Sequence, residues 1–251
     1  MSHNYNYYIK QLYSNPKLYI CEFTDYKDDI YFWPKIVSQY HPRTMLEIGI
    51  GNGRLINLLH EMVEEYDGID FSVEIINYCK KKFNYSNVHL YYQDLKRCKL
   101  NKTYDLIILP FNVINNFYSP HDLGKAFNNI KKLSDENTII VIDTILPQIK
   151  DLSDRKKFYH TNTFQFHKQR VDVYENKIFD SINSTCVYEK KYIINNKIIH
   201  KETLPNRIFF HQELLMILDH YGFNVIKQYG DYNFEPISNK SRKQIIIIRR
   251  K

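Results

Sequence analysis

The chain has 251 residues, 43% of them hydrophobic, 15% aromatic and 25% charged, with a formal net charge of +7 at neutral pH. That length and apolar content support one core of ordinary size, or a core domain with a small subdomain. Purely aliphatic runs such as Ile245 to Ile248 have only the length of a strand, so a membrane-spanning helix is not expected.

Residues 5–18 read as a helix and turn rich in tyrosine. Between Asp28 and Tyr40, apolar Ile30, Phe32, Trp33, Ile36 and Val37 recur at helical spacing. Strands and helices then alternate. Thr44–Ile48 predicts a strand and Arg54–Glu64 a helix. Tyr66–Asp70 follows as a strand, and Val73–Phe83 as a helix with Ser72 at its N-cap. Asn87–Tyr92 and Tyr104–Leu109 are strands, Asp122–Leu133 a helix, and Thr138–Asp143 another apolar strand. Strands separated by helix-length patterns imply crossover connections and a parallel sheet.

After Pro147 the rhythm changes. From Thr163 to Ile208 the patterning is strand-like, and Asn195-Asn196 between two such runs is a hairpin signal. A helix over Gln212–His220 stops at Gly222, and Phe223–Tyr229 and Gln244–Arg250 close the pattern as two strands. The expectation is an α/β domain carrying an antiparallel β excursion after its fifth strand.

The start, MSHNYNYYIK, has no basic segment followed by an apolar one, so a signal peptide is not expected. The four cysteines, Cys21, Cys79, Cys98 and Cys186, are far apart and form no CxxC, which suits a reducing, cytoplasmic compartment. Basic residues are scattered among acids rather than interleaved with stacking aromatics, which argues against a nucleic-acid partner. The ten histidines show no HxH, HxxxH or HExxH spacing, and no paired Asp/Asn motif compels a Mg²⁺ site, so no metal is expected.

The first strand-to-helix turn carries the chemistry. In MLEIGIGNGRLINLL, three glycines recur at every second position after Glu47: Gly49, Gly51 and Gly53. A dinucleotide fingerprint has the spacing GxGxxG, whereas the spacing here is GxGxG. An acid at Glu47 repels a pyrophosphate and attracts a cation. Alone, the glycines could be a tight turn, Asp70 a helix-start acid, and Asp94 a loop carboxylate.

Taken together, these segments resemble the class I S-adenosylmethionine (SAM)-dependent methyltransferases. Glu47-Ile-Gly49-Ile50-Gly51-Asn-Gly53 is similar to motif I of that family. Tyr66-Asp-Gly-Ile-Asp70-Phe71-Ser72 resembles its second strand, whose terminal acid binds the ribose hydroxyls. Tyr92-Gln93-Asp94-Leu95 resembles the segment whose acid accepts from the adenine amino group, and Pro110-Phe111-Asn112-Val-Ile-Asn115 the loop passing between methyl donor and acceptor. The resemblance runs from about Trp33 to Asp143 and over the two final strands. It implies a Rossmann-like, doubly wound, mostly parallel seven-stranded sheet binding SAM and releasing S-adenosyl-L-homocysteine (SAH).

The layout is similar to bacterial natural-product methyltransferases acting on amines of small molecules or short peptides. That resemblance implies three segments: a helical cap over the cofactor (1–40), a SAM-binding core (41–150 and 209–251), and an inserted acceptor-binding or dimer element (151–208). Tyr19 would then join the cofactor site. Tyr8, Asn112, Asn115 and Phe166 would line the acceptor site, and the chain would act as a monomer or homodimer. Asp151 and Arg155, four apart, share a face if helical, and would grip a zwitterionic or cationic acceptor or form an exposed ion pair. Asp143, at a strand end, and His167, in the aromatic run Phe164–Phe166, are the candidate catalytic groups; for His167 a packing or surface role is the alternative. The sequence Ile108-Leu109-Pro110-Phe111 lacks the leading amide or carboxylate found where adenine, cytosine or glutamine amides are methylated. O-methylation of a small molecule and RNA methylation are the competing readings.

Overall fold

The computed structural model describes residues 15–149 and 152–251. Two compact units emerge: residues 27–147 with 209–251, and the described residues of 15–26 with 148–208.

The first unit is built on a seven-stranded sheet. Its strands are β1 (Thr44–Ile48), β2 (Glu65–Asp70), β3 (Val88–Tyr92), β4 (Leu106–Leu109), β5 (Ile139–Ile145), β10 (Phe223–Tyr229) and β11 (Lys243–Arg250), in the spatial order β10-β11-β5-β4-β1-β2-β3. β11 runs antiparallel to both of its neighbours, and the other pairs are parallel. β1 lies between β2 and β4, so the strand order reverses there, and the crevice beyond its carboxyl end is the place where such sheets bind ligands. The near-continuous apolar runs of β4, β5 and β11 follow from burial on both faces.

Helices cover the sheet. α2 (Phe32–Tyr40) buries Phe32, Trp33, Ile36 and Val37 and stops at His41, whose left-handed backbone returns its N–H to the Val37 carbonyl. α4 (Val73–Lys82) starts on the Ser72 hydroxyl, which accepts from the Ile75 N–H, and gathers Lys80, Lys81 and Lys82 in its last turn. α5 (Pro120–Lys132) has Pro at its start and a Ser119 cap on the Asp122 N–H. α6 (His211–His220) ends before Gly222, which is left-handed. α3 is shorter than its sequence pattern predicts, spanning only Ile56–Leu59 before one 3₁₀ turn, His60–Met62. The reason lies downstream. The amides of Glu64 and Glu65 bond the Arg43 carbonyl, and the Glu64 carboxylate pairs with the Arg43 guanidinium, drawing the chain into β2.

The second unit is an antiparallel meander, β6 (Arg155–Phe166), β7 (Gln169–Asp180), β8 (Thr185–Ile194) and β9 (Lys197–Arg207), with α1 (Pro16–Glu22) packed on it. The turns His167-Lys168 and Asn195-Asn196 each place two successive residues at positive φ, the geometry that matches strand twist. Its core is Leu18, Phe164, Val171, Val173 and Tyr192. Beside it the Tyr192 hydroxyl lies between Glu22 and Glu202, and Lys190 Nζ is 2.7 Å from Glu22 Oε1. No described helix is long and apolar enough to cross a membrane.

Candidate functional site

Beyond the end of β1 the backbone turns left-handed three times, at Gly49 (φ 78°), Gly51 (52°) and Gly53 (73°). The Gly49 and Ile50 amides both bond the Ile69 carbonyl, so the turn grows out of the β1–β2 ladder. Two of these glycines are fixed by the protein's own packing. A Cβ at Gly49 would lie 2.5 Å from Val113 Cγ2, and one at Gly53 would lie 2.3 Å from Phe83 Cε2. The Gly51 amide instead donates to Asp70 Oδ2 at 3.2 Å.

Two buried carboxyls flank the turn. Asp70, at the carboxyl end of β2, is 2% exposed, and its Oδ1 accepts from the Ser72 amide at 2.9 Å. Burial pushes its pKa up to about 6, although N–H groups of Ser72, Gly51 and Phe71 oppose the shift. Glu47, also 2% exposed, accepts a hydrogen bond from the Tyr66 hydroxyl, and burial pushes its pKa up to about 8. Arg54 lies close enough to Glu47 to favour its ionised form, yet its own ion-pair partner is Asp29, which also accepts from the Trp33 indole N–H at 2.8 Å. Among the described residues, the buried carboxyls Asp29 and Asp70 and the Arg54 guanidinium thus all lie near Glu47. Sequence reasoning passed over Asp29, Arg54 and Tyr66. The available signals were the arginine directly after the last glycine and an Asp–Trp pair four apart at the start of α2.

At the end of β3 the Gln93 amide bonds the Asp70 carbonyl, and the Gln93 side chain accepts from the Lys99 amide. Asp94 caps a short 3₁₀ turn through the Lys96 amide at 2.9 Å, with Lys96 Nζ 3.7 Å from its other oxygen. Leu95 is buried, and its carbonyl accepts from the Asn129 amide group.

After β4 and Pro110, Phe111 (φ 52°) and Asn112 (φ 65°) are consecutively left-handed, although neither is glycine. The Phe111 ring lies 5.5 Å from the Arg54 guanidinium. The Asn112 carboxamide oxygen is buried with no hydrogen-bond partner among the described residues. Asp143, expected as a catalytic group, is fully buried and set among hydrogen-bond donors. Its Oδ2 accepts from the Phe111 amide (2.8 Å) and the Tyr232 hydroxyl (2.7 Å), its Oδ1 from Lys243 Nζ (3.1 Å), and its carbonyl from the Asn112 amide (3.0 Å). A carboxylate so engaged holds the loop. Asn115, expected at the acceptor, is instead fully buried and accepts from the Thr144 hydroxyl at 2.5 Å.

The remaining candidates belong to the second unit. Tyr19 lies on α1 with its ring 4.9 Å from Phe23. Arg155 opens β6, a strand and not the helix that the shared face with Asp151 requires, and covers the Tyr159 ring at 4.3 Å. Phe166 ends β6. His167 is in the hairpin turn rather than in the strand, its ring edge-on to Phe166 at 4.3 Å. Tyr8 and Asp151 lie outside the described residues. Among the described residues, Glu65, Asp67 and His89 form one grouping able to offer three metal ligands. The Lys102 ammonium already sits there, 2.6 Å from Glu65 and 2.8 Å from Asp67.

A family model described as a methyltransferase domain matches residues 42–188. "Putative methyltransferase 235L" of Invertebrate iridescent virus 6 is 29% identical over 97 residues, 36% of this chain and 36% of that protein, so the match spans about a third of this curated relative. Among solved structures, the CcbJ methyltransferase of Streptomyces caelestis superposes with a TM-score of 0.78 at 16% identity, over 92% of this chain and 96% of that one. An S-adenosylmethionine-dependent methyltransferase from Clostridium acetobutylicum gives 0.76 at 16% identity, over 90% and 92%. The sugar N-methyltransferase KedS8 from Streptoalloteichus gives 0.73 at 14% identity, over 93% and 92%. At these identities the likeness is one of fold.

Proposed function

The chain belongs to the methyltransferase-domain family, and from that premise we propose that it transfers a methyl group from SAM to an amine nitrogen of a small molecule or short peptide. The observation that carries the donor assignment is the pair of buried carboxyls, Glu47 and Asp70, on either side of the glycine turn at the ends of two adjacent strands. Burial holds both above their ordinary pKa, and a cationic ligand beside them would favour the ionised form that burial disfavours. A pyrophosphate would add negative charge there, whereas SAM brings an ammonium and a sulfonium.

When bound, SAM supplies an electrophilic methyl carbon. The chain's residues bind and orient. The Gly51 backbone gives close approach, Asp70 accepts from the ribose hydroxyls, Asp94 from the adenine amino group, and Glu47 balances the cationic end. The unpartnered Asn112 oxygen accepts a hydrogen bond from the donor's ammonium or from the acceptor's N–H, orienting its lone pair. Transfer then depends on orientation and exclusion of water more than on a dedicated base. The amine acceptor is supported by the fold likeness to a sugar N-methyltransferase. The second unit serves acceptor binding or self-association.

Incubation with methyl-labelled SAM and a panel of aminosugars, amino acids, short peptides and RNA, read by mass spectrometry, tests the reading. Label on nitrogen supports it, and label confined to hydroxyls or RNA overturns the acceptor class. Hydrogen bonds to a charged carboxylate contribute about 1.5–3 kcal/mol, so Asp70→Ala should weaken SAM at least about tenfold. Unchanged calorimetric affinity would refute the donor site.

A further inference from the structure

We infer that Tyr232, in the loop joining β10 to β11, is a positioning residue for the donor site, acting through Asp143 to hold Phe111 and Asn112 in their left-handed conformation. The inference rests on the donor assignment above for its functional meaning, but its geometry stands by itself.

Outside a two-residue hairpin turn, two successive non-glycine residues at positive φ persist only where their surroundings over-determine them. Here the Phe111 amide bonds the Asp143 carboxylate and the Asn112 amide bonds the Asp143 carbonyl, so one residue fixes both. Asp143 can do this only if its carboxylate is itself fixed. The Tyr232 hydroxyl shares Oδ2 with the Phe111 amide, and Lys243 Nζ takes Oδ1 while covering the Tyr232 ring at 4.5 Å. Tyr232 in turn is braced. Its ring lies 5.6 Å from Phe32, on which Phe234 stacks at 4.8 Å. The base of its loop closes where Gly230 meets Ser241, so tightly that a Cβ would come within 2.1 Å of the serine oxygen. At the other end of the chain of contacts, the held loop carries Val113 onto Gly49 and leaves the Asn112 oxygen buried without a partner among the described residues. A hydroxyl 89 residues along the chain from Asp143 therefore sets the loop that crosses the glycine turn.

The test compares Tyr232→Phe with the unaltered chain in two backgrounds, wild type and Phe111→Gly. Glycine adopts positive φ without steric cost, so it removes the need for the clamp. Amide hydrogen exchange of residues 111–113 in ligand-free protein should quicken about tenfold or more on Tyr232→Phe in the wild-type background, and change little in the Phe111→Gly background. SAH affinity by calorimetry should fall several-fold in the first background and be spared in the second. If Tyr232 only packed against Phe32, the phenylalanine would leave exchange unchanged, or the cost would be equal in both backgrounds; either result overturns the inference. If exchange quickens as expected while the wild-type chain binds neither SAH nor SAM, the clamp stands and the donor assignment falls. Asp143→Asn, which keeps the side chain's shape, is a second probe and should quicken the same amides.

Discussion

The turn after β1 and the loop after β4 lie at the ends of paired strands, and both run through left-handed backbone. They reach it by opposite means. The first uses glycine, for which that conformation carries no steric cost. The second uses phenylalanine and asparagine and is held there by groups from β5, a distant loop and β11. One conformation is written into local sequence, and the other is imposed by tertiary structure. The first should therefore break when its own residues change, and the second when its holders change.

The largest effect is expected in the glycine turn. Gly53→Ala adds a Cβ 2.3 Å from the Phe83 ring and 3.0 Å from Cys79 Sγ, at φ 73°. Left-handed strain and overpacking together should cost about 2–5 kcal/mol. A urea midpoint within error of wild type would contradict it. Next is Asp143→Ala, which strands the Lys243 ammonium and releases two strained residues at once. Breaking such a pair should cost about 3 kcal/mol, measured the same way, and SAH affinity should fall with it.

A pH profile separates the two regions further. Glu47 has its pKa raised in the folded chain, so the folded state holds its proton where the unfolded state has lost it. Stability should therefore fall as pH rises from the ordinary carboxylate range through about 8. SAM binding should strengthen over the same window, as the carboxyl ionises opposite a cationic ligand. Above about pH 6, where Asp70 too has ionised, Glu47→Gln should flatten both slopes, and melting curves with calorimetry from pH 7 to 9 would reveal slopes that persist. The smallest effect is expected for Asn112→Gly. Relief of left-handed strain offsets the entropy of the added glycine, and the change in stability should stay below about 1 kcal/mol. A large loss would mean that the Asn112 side chain, and not its backbone, carries the loop.

This contrast also explains what could be read from the chain. β1 and β10 begin and end where hydrophobic patterning places them, and the Ser72 cap and the Asn195-Asn196 turn are local signals with local causes. The glycine spacing and the acid at Asp70 were legible for the same reason. The shortened α3 was not, because its end depends on Arg43, a residue preceding β1. Nor was the part played by Asp143. Its position at a strand end was readable, but Tyr232 and Lys243 reach it only through the antiparallel insertion of β11. Asn115 looked like a polar group free for a substrate, and only its burial against Thr144 on β5 shows otherwise. His167 followed two aromatics in a strand pattern, whereas its backbone forms a turn that its side-chain chemistry does not announce.

The place of β11 has a further consequence, for the order in which the molecule is made. Ile245 pairs with Asp143, 102 positions earlier in the chain. At ribosomal speeds of roughly 5–20 residues per second, the β5 edge waits on the order of ten seconds for its partner. Its unpaired groups, lined by Ile139, Ile140 and Ile142, are open meanwhile to pairing with another nascent chain. The meander β6 to β9 is synthesised during that wait, and its strands pair in succession, β6 with β7, β7 with β8 and β8 with β9, so it needs nothing still to come. A chain halted before residue 243 would thus carry a finished second unit beside an open sheet, and would be a natural client for chaperones.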